Sequence, residues 1–288
     1  MTEKVCLFGP DSCLLGILAE PEPGMAVPGA PAILLWNVGI NHRVGPFRIF
    51  VDLARSLSAT GFPVLRFDAS GLGDSEVRRD RVSDAVRARS DLHDAMNFLE
   101  SRGVANQFVL VGFCSSVDTA YEVAIVDPRV TGVAFLEAYT FRTAGFYRRY
   151  LLRLLSRVRW RRYLHQRFKR LFGRRAAPTR TTGEREEVYL RDRPSRERFS
   201  ADLRALAERG TKLLFLYVAG DSEYLYLEQF YEMFGENLRG KVELEFWPRA
   251  DHTFFRVADR LRAIERLRSW VANGWARARG EGAPTAPA

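Results

Sequence analysis

The chain alternates short, nearly continuous apolar runs with longer stretches in which apolar residues recur every three or four positions. "LLGILAEP", "PAILLWNVG", "PVLRFDASG", "QFVLVGF", "VTGVAFLEAY", "KLLFLYVAGDS" and "KVELEFWPRADHTFF" read as strands. Such runs suit strands covered on both faces, as in a parallel sheet. Between them, "PFRIFVDLARSLSATG", "RVSDAVRARSDLHDAMNFLESRG", the segment after Cys114, "SRERFSADLRALAERG", "YLEQFYEMFGENLRG" and a last stretch ending near Ala276 carry the helical period. Gly61 and Gly103 close two of these helices, and Ser83 is a candidate cap for the second. The order predicts an α/β fold with a mostly parallel central sheet flanked by helices.

One stretch breaks the pattern. Residues 141–175 hold 13 basic side chains and no acidic one, interleaved with aromatics. Leu151, Leu154, Leu155 and Val158, then Leu164, Phe168, Leu171 and Phe172, recur at helical spacing, which predicts two amphipathic helices with arginine-covered outer faces. A loop, "AAPTRTTGER", follows before the alternation resumes. The expected organisation is therefore a core of residues 1–139 and 206–276, an inserted basic segment at 140–205, and a disordered tail at 277–288.

Charge sharpens that division. Residues 141–200 carry 19 Lys and Arg against 5 Asp and Glu, a net of +14, while the rest of the chain has 25 against 30, a net of −5. The overall +9 thus belongs to the insert, and so does whatever anion it meets. Candidate partners are an acidic carrier protein, coenzyme A phosphates, a lipid-linked sugar phosphate or an anionic membrane surface. Nucleic acid ranks below these, and the plain alternative is a solvated helical face.

With 47% hydrophobic residues the chain can bury a large core, which excludes a disordered protein. No window approaches about 18 uninterrupted apolar residues, and the first residues lack a basic stretch followed by an apolar run, so neither a membrane span nor a signal peptide is expected. Cys6, Cys13 and Cys114 are odd in number and unclustered, which argues against a disulfide framework or a zinc site and fits a reducing cytoplasm. A lipid-binding insert would add peripheral contact with the inner membrane surface. No cofactor is expected: "SGLGDS" lacks both a third glycine at dinucleotide-binding spacing and a Gly-Lys-Ser/Thr.

The chemistry concentrates at "VLVGFCSSVD", a strand, a tight turn and a helix. In a nucleophile elbow the reactive residue sits on a strained turn, so the positions two before and two after it must be small. Gly112 and Ser116 meet that requirement around Cys114, whereas placing Ser115 at the apex would put Phe113 and Val117 in the crowded positions. A buried, merely packed cysteine is the competing reading. A thiol also needs a base. Of His42, His93, His165 and His252, His252 follows the last strand, where a loop reaches the carboxyl edge of the sheet. His93 reads as a helix residue, and His165 belongs to the insert. The acid expected to orient the imidazole is Asp221, after the preceding strand, with Glu137, at the end of "VAFLEAY", as the alternative. Asp251, adjacent in sequence to the histidine, ordinarily points elsewhere.

The order Cys114, Asp221, His252, together with "FDASGLGDS", resembles the α/β-hydrolase superfamily, whose triads run nucleophile, acid, histidine. The resemblance spans nearly all of residues 1–276. Within it the chain is most similar to the serine aminopeptidase/lysophospholipase-like branch, including hydrolases associated with exopolysaccharide and exosortase gene clusters. Those proteins share segments like "NVGINHRVGPFRIF" and "LRFDASGLGDS". The branch ordinarily carries serine at the elbow; cysteine there resembles the dienelactone hydrolases.

The resemblance implies an α/β-hydrolase fold with a helical lid inserted after the sixth strand. It also implies an oxyanion hole made by the backbone N–H of Ser115 and of Ile40, with Gly39 as the glycine of the family's His-Gly turn. Asn37 and Asn41 would contact substrate or simply shape that turn. The expected activity is ester or thioester hydrolysis through an acyl-cysteine. Acyl transfer or cyclisation onto an amine or internal nucleophile is the alternative, because thioesters favour amines over water more than oxygen esters do. A non-catalytic module binding an anionic partner is the reading from a different class. A reactive triad cysteine, titrating well below about 8.5, separates it from the enzymes.

Overall fold

The computed structural model describes residues 1–80, 82–155, 193–218 and 223–275. The second amphipathic helix of the insert, the loop after it, Asp221, His165 and the expected disordered tail lie outside these residues.

Eight strands form one sheet: β1 (Thr2–Phe8), β2 (Leu14–Glu20), β3 (Ala32–Trp36), β4 (Val64–Phe67), β5 (Phe108–Phe113), β6 (Val130–Leu136), β7 (Lys212–Val218) and β8 (Glu243–Trp247). Their spatial order is β1-β2-β4-β3-β5-β6-β7-β8. The β1–β2 and β2–β4 pairs are antiparallel and every other pair is parallel.

The helices are α1 (Ile49–Ala59), α2 (Asp84–Ser101), α3 (Ser116–Val126), α4 (Ala144–Leu155), α5 (Arg196–Glu208), α6 (Gln229–Phe234) and α7 (Val257–Gly274). Because side chains alternate along a strand, the apolar runs feed both faces of the sheet. Leu34 and Leu110 face one core with Met96 of α2, Tyr121 of α3 and Phe199 of α5. Ile33, Val109 and Val111 face the other, with Leu53 of α1 and Trp270 of α7.

Some boundaries differ from the sequence pattern. The last strand ends at Trp247, so the residues around His252 form a loop beyond it. Helix α1 starts at Ile49 because Pro46–Arg48 makes a separate 3-10 turn, with Phe47 and Arg48 left-handed. Ser83 does stand at the N-cap of α2, but its side chain makes no capping hydrogen bond. Helix α5 crosses the expected end of the insert at residue 205, and its Phe199, Leu203 and Leu206 are buried in the core. No helix among the described residues is long and apolar enough to cross a membrane.

Candidate active site

The junction of β5 and α3 places Cys114 at the apex of a turn with φ of 53°, a left-handed conformation that a cysteine adopts only when its surroundings impose it. Those surroundings are visible. The Cys114 N–H donates to the Leu136 carbonyl at 3.0 Å. The Ser116 hydroxyl accepts from the Phe113 N–H at 2.7 Å and donates to the Phe113 carbonyl at 2.9 Å, closing the turn on itself. A Cβ on Gly112 would stand 2.9 Å from both the Ala120 Cβ and the Val117 Cα, so only glycine lets β5 run this close beneath α3. Ser115 has ordinary helical angles, φ −64° and ψ −29°, and is the N-cap residue of α3, its side chain making no capping hydrogen bond.

The loop after β8 brings His252 over the elbow, its ring 5.8 Å from that of Phe113. Cys114 and Glu137 both stand close enough to the imidazole to act on its charge. Its Nδ1 is 3.6 Å from Glu137 Oε2. Glu137 follows β6, is buried, and is itself left-handed at φ 62°. Its other oxygen accepts from the Val218 N–H at 2.5 Å, which aims the carboxylate at the histidine. The pKa of His252 is pushed up to about 10, first by Cys114, then by Glu137, against the opposing effect of burial. Asp251 turns away: one of its oxygens accepts from the Thr253 N–H at 2.9 Å and the Thr253 hydroxyl at 2.7 Å, shaping the loop that carries His252.

On the other side of Cys114, the loop after β3 approaches the elbow. The Gly39 N–H donates to the Ser115 hydroxyl at 2.7 Å. Ile40, expected as the oxyanion donor, has a side chain 90% exposed. Asn37 and Asn41 are occupied by structure. Asn37 accepts from the Ala69 N–H at 2.6 Å and donates to the Asn41 carbonyl at 2.8 Å and to Asp68 at 3.1 Å. The Asn41 side chain donates to the Val38 carbonyl at 2.9 Å.

Asp68, whose role the sequence did not single out, is the hub of this region. Fully buried, it accepts from the Arg43 N–H at 2.6 Å, the Asp74 N–H at 3.1 Å and the Arg43 guanidinium. A Cβ on Gly73 would collide with its carboxylate. The network ties the β3 loop to "FDASGLGDS" and so fixes Gly39.

His42, Asp68 and Asp74 form the one cluster among the described residues with metal-ligand spacing. The Arg43 guanidinium, bonded to both carboxylates and 2.7 Å from the His42 Nε2, already supplies the cation. His93 pairs with Asp127, away from the elbow.

The family model described as "Alpha/beta hydrolase family" matches residues 27–264. Among solved structures, the chain resembles an α/β serine hydrolase without a lid from Xanthomonas campestris, with 15% identity, 98% of this chain and 97% of that one covered, and a TM-score of 0.53. It also resembles the Pyrococcus furiosus esterase PF2001, at 15% identity, 96% and 91% coverage and a TM-score of 0.58. A third likeness is to the esterase domain of a Rhodothermus marinus protein, at 18% identity, 94% and 99% coverage and a TM-score of 0.52. No match is found among curated proteins. At these identities the likenesses establish the fold.

Proposed function

The chain belongs to the alpha/beta hydrolase family, and from that premise we propose that it is an acyl hydrolase, an esterase or thioesterase, that works through a covalent acyl-cysteine. The observation that carries this reading is Cys114 at a left-handed apex in contact with His252, whose far nitrogen faces the buried carboxylate of Glu137. Glu137 takes the role of the acid; Asp221, outside the described residues, is its competitor.

An imidazole whose pKa stands near 10 is protonated at neutral pH, and the group that raises it most is the cysteine. That pairing is the signature of a thiolate facing an imidazolium, a nucleophile ready before substrate arrives. The sulfur attacks the carbonyl carbon, and the carbonyl π pair moves onto oxygen. The Ser115 N–H and the Ile40 N–H, beside the Gly39 turn, hold the resulting oxyanion at the N-terminus of α3, whose dipole favours negative charge there. The tetrahedral species collapses as His252 gives its proton to the departing oxygen or sulfur, leaving the acyl group as a thioester on Cys114.

Acylation removes both the hydrogen-bonding partner and the charge that Cys114 presents to His252, the first of the influences on it, so its pKa falls back toward the ordinary value of 6.5. The neutral imidazole then accepts a proton from water as that water attacks the thioester. The second collapse releases the carboxylic acid and restores the thiolate and imidazolium. One side chain thus serves as acid and then base because its partner changes charge between the two halves of the reaction.

Intact mass spectrometry after incubation with a panel of acyl thioesters and activated esters tests this reading. An adduct on the wild type that water discharges, and that is absent in Cys114→Ala, is expected. Full turnover by Cys114→Ala would remove the mechanism. Added amine that discharges the adduct faster than water would make the protein an acyltransferase at the same centre.

A further inference from the structure

A cavity of about 630 Å³ opens beside the elbow on the β3–β4 side. Its walls include Trp36, Ile40, Leu72, Val77, Ala88 and Thr119, and its inner end reaches Gly39 and Ser115. Its size is that of a small-molecule site.

The sheet order says which part of a substrate enters it. Reading β4-β3-β5-β6-β7-β8, Cys114 stands at the end of β5, Glu137 follows β6 and the His252 loop follows β8. The histidine and its acid therefore lie on one side of the nucleophile, and the cavity lies on the other. A leaving group must take its proton from His252, so it departs on the β6–β8 side. In the mechanism proposed above, the carbonyl oxygen points at the Ser115 and Ile40 amides, beside Gly39. The remaining substituent of the reacting carbon, the acyl chain, is directed past those amides.

Charge then narrows the class of chain. Among the described residues, every ionised group on the cavity wall already has a protein partner: Arg87 meets Asp84 at 2.8 Å, and Asp91 meets Arg78 at 3.0 Å while accepting from the Ser70 N–H at 2.7 Å. These described residues offer apolar surface and internally neutralised pairs, so an ionised chain end would find no unpaired counter-charge among them. Resting on the covalent acyl reading above, we infer that this cavity is the acyl subsite. It takes an uncharged medium-length aliphatic or aryl group, with the leaving group held on the opposite side of Cys114.

Two measurements test this separately from the chemistry. Titration calorimetry of Cys114→Ala with octanamide needs no turnover: saturable binding is expected, weakened at least about tenfold when Ala88→Leu or Ala88→Trp fills the cavity. In the otherwise wild-type protein, the ratio of octanoyl to acetyl p-nitrophenyl ester kcat/KM should fall by at least about tenfold in the same two variants, with circular dichroism confirming their fold. No octanamide binding, or binding indifferent to both substitutions, overturns the subsite. A ratio that stays constant while binding is lost shows that the cavity holds something other than the acyl chain, and also overturns it. Binding that behaves as expected in a protein forming no acyl adduct would leave the cavity standing and discard the covalent mechanism, so the two failures are distinguishable.

Discussion

On the β3–β4 side of Cys114 the polar groups are buried and bonded several times over, whereas on the β6–β8 side His252 is 43% exposed and lies 3.6 Å from Glu137. Asp68 alone accepts from two backbone N–H groups, an amide and a guanidinium. The first side braces the β3 loop and its Gly39 turn, and a buried, multiply bonded network gives that rigidity. In the proposed mechanism the second side releases and recovers a proton in every cycle, which a partly exposed imidazole 3.6 Å from its carboxylate allows. Substitutions should therefore separate cleanly: those on the β6–β8 side act on rate, those on the β3–β4 side on stability first.

The largest effect expected is the loss of turnover in Cys114→Ala, by about 10⁴-fold or more in kcat, read with an activated ester. Glu137→Gln comes next. It keeps the shape but removes the charge that orients His252, and kcat should drop by about 10²- to 10⁴-fold with the fold intact. Asp221→Asn made in parallel should cost less. The reverse ranking would transfer the acid's role to Asp221.

On the opposite side, Asp68→Ala leaves the Arg43 guanidinium without its buried partner. The loss expected in urea unfolding is about 3 to 5 kcal/mol. A stability change within error would mean that the network does not brace the loop. Gly112→Ala should cost less, about 1 to 3 kcal/mol, because its Cβ must displace α3 at Ala120 and Val117. It would also move Cys114, so its alkylation rate should fall along with stability.

The same contrast explains what could be read from the chain without its structure. Strands β3 and β5 announce themselves because both faces are buried and nearly every residue is apolar. Strand β1 does not: it is an edge strand with Val5 70% and Leu7 58% exposed, and "TEKVCLF" joins a polar half to a short apolar one without a clean alternation. At the site, Cys114 and His252 were legible from local motif and chain order, because an elbow is a short-range pattern. Choosing between Glu137 and Asp221 was not, since both follow neighbouring strands and only the 3.6 Å approach of Glu137 to His252 gives either a geometric claim. Asp68 was hidden for another reason: its partners Asn37 and Arg43 are some 25 to 31 positions away, and its bonds to them exist only once β3 and β4 pair. The Gly39 N–H bond to the Ser115 hydroxyl was equally hidden, because it joins residues 76 positions apart that meet only once β3 and β5 pair.

The smallest effect is the most direct test of how the two partners of His252 share its proton. In the wild type the imidazole should titrate near 10, followed by NMR of its ring protons. Cys114 is the greater influence and Glu137 the lesser, so Cys114→Ala should lower the midpoint further than Glu137→Gln does. The sign for stability follows from a folded pKa above the ordinary 6.5: the stabilisation from the protonated ring is complete below that value and disappears as pH rises through about 10. In Cys114→Ala the upper limit of that window should move down with the midpoint. A His252 that titrates at 6.5 in the wild type would show that no thiolate faces it at rest. The sulfur would then have to be deprotonated during attack, as a serine is, and the resting ion pair that distinguishes this elbow from a serine one would be gone.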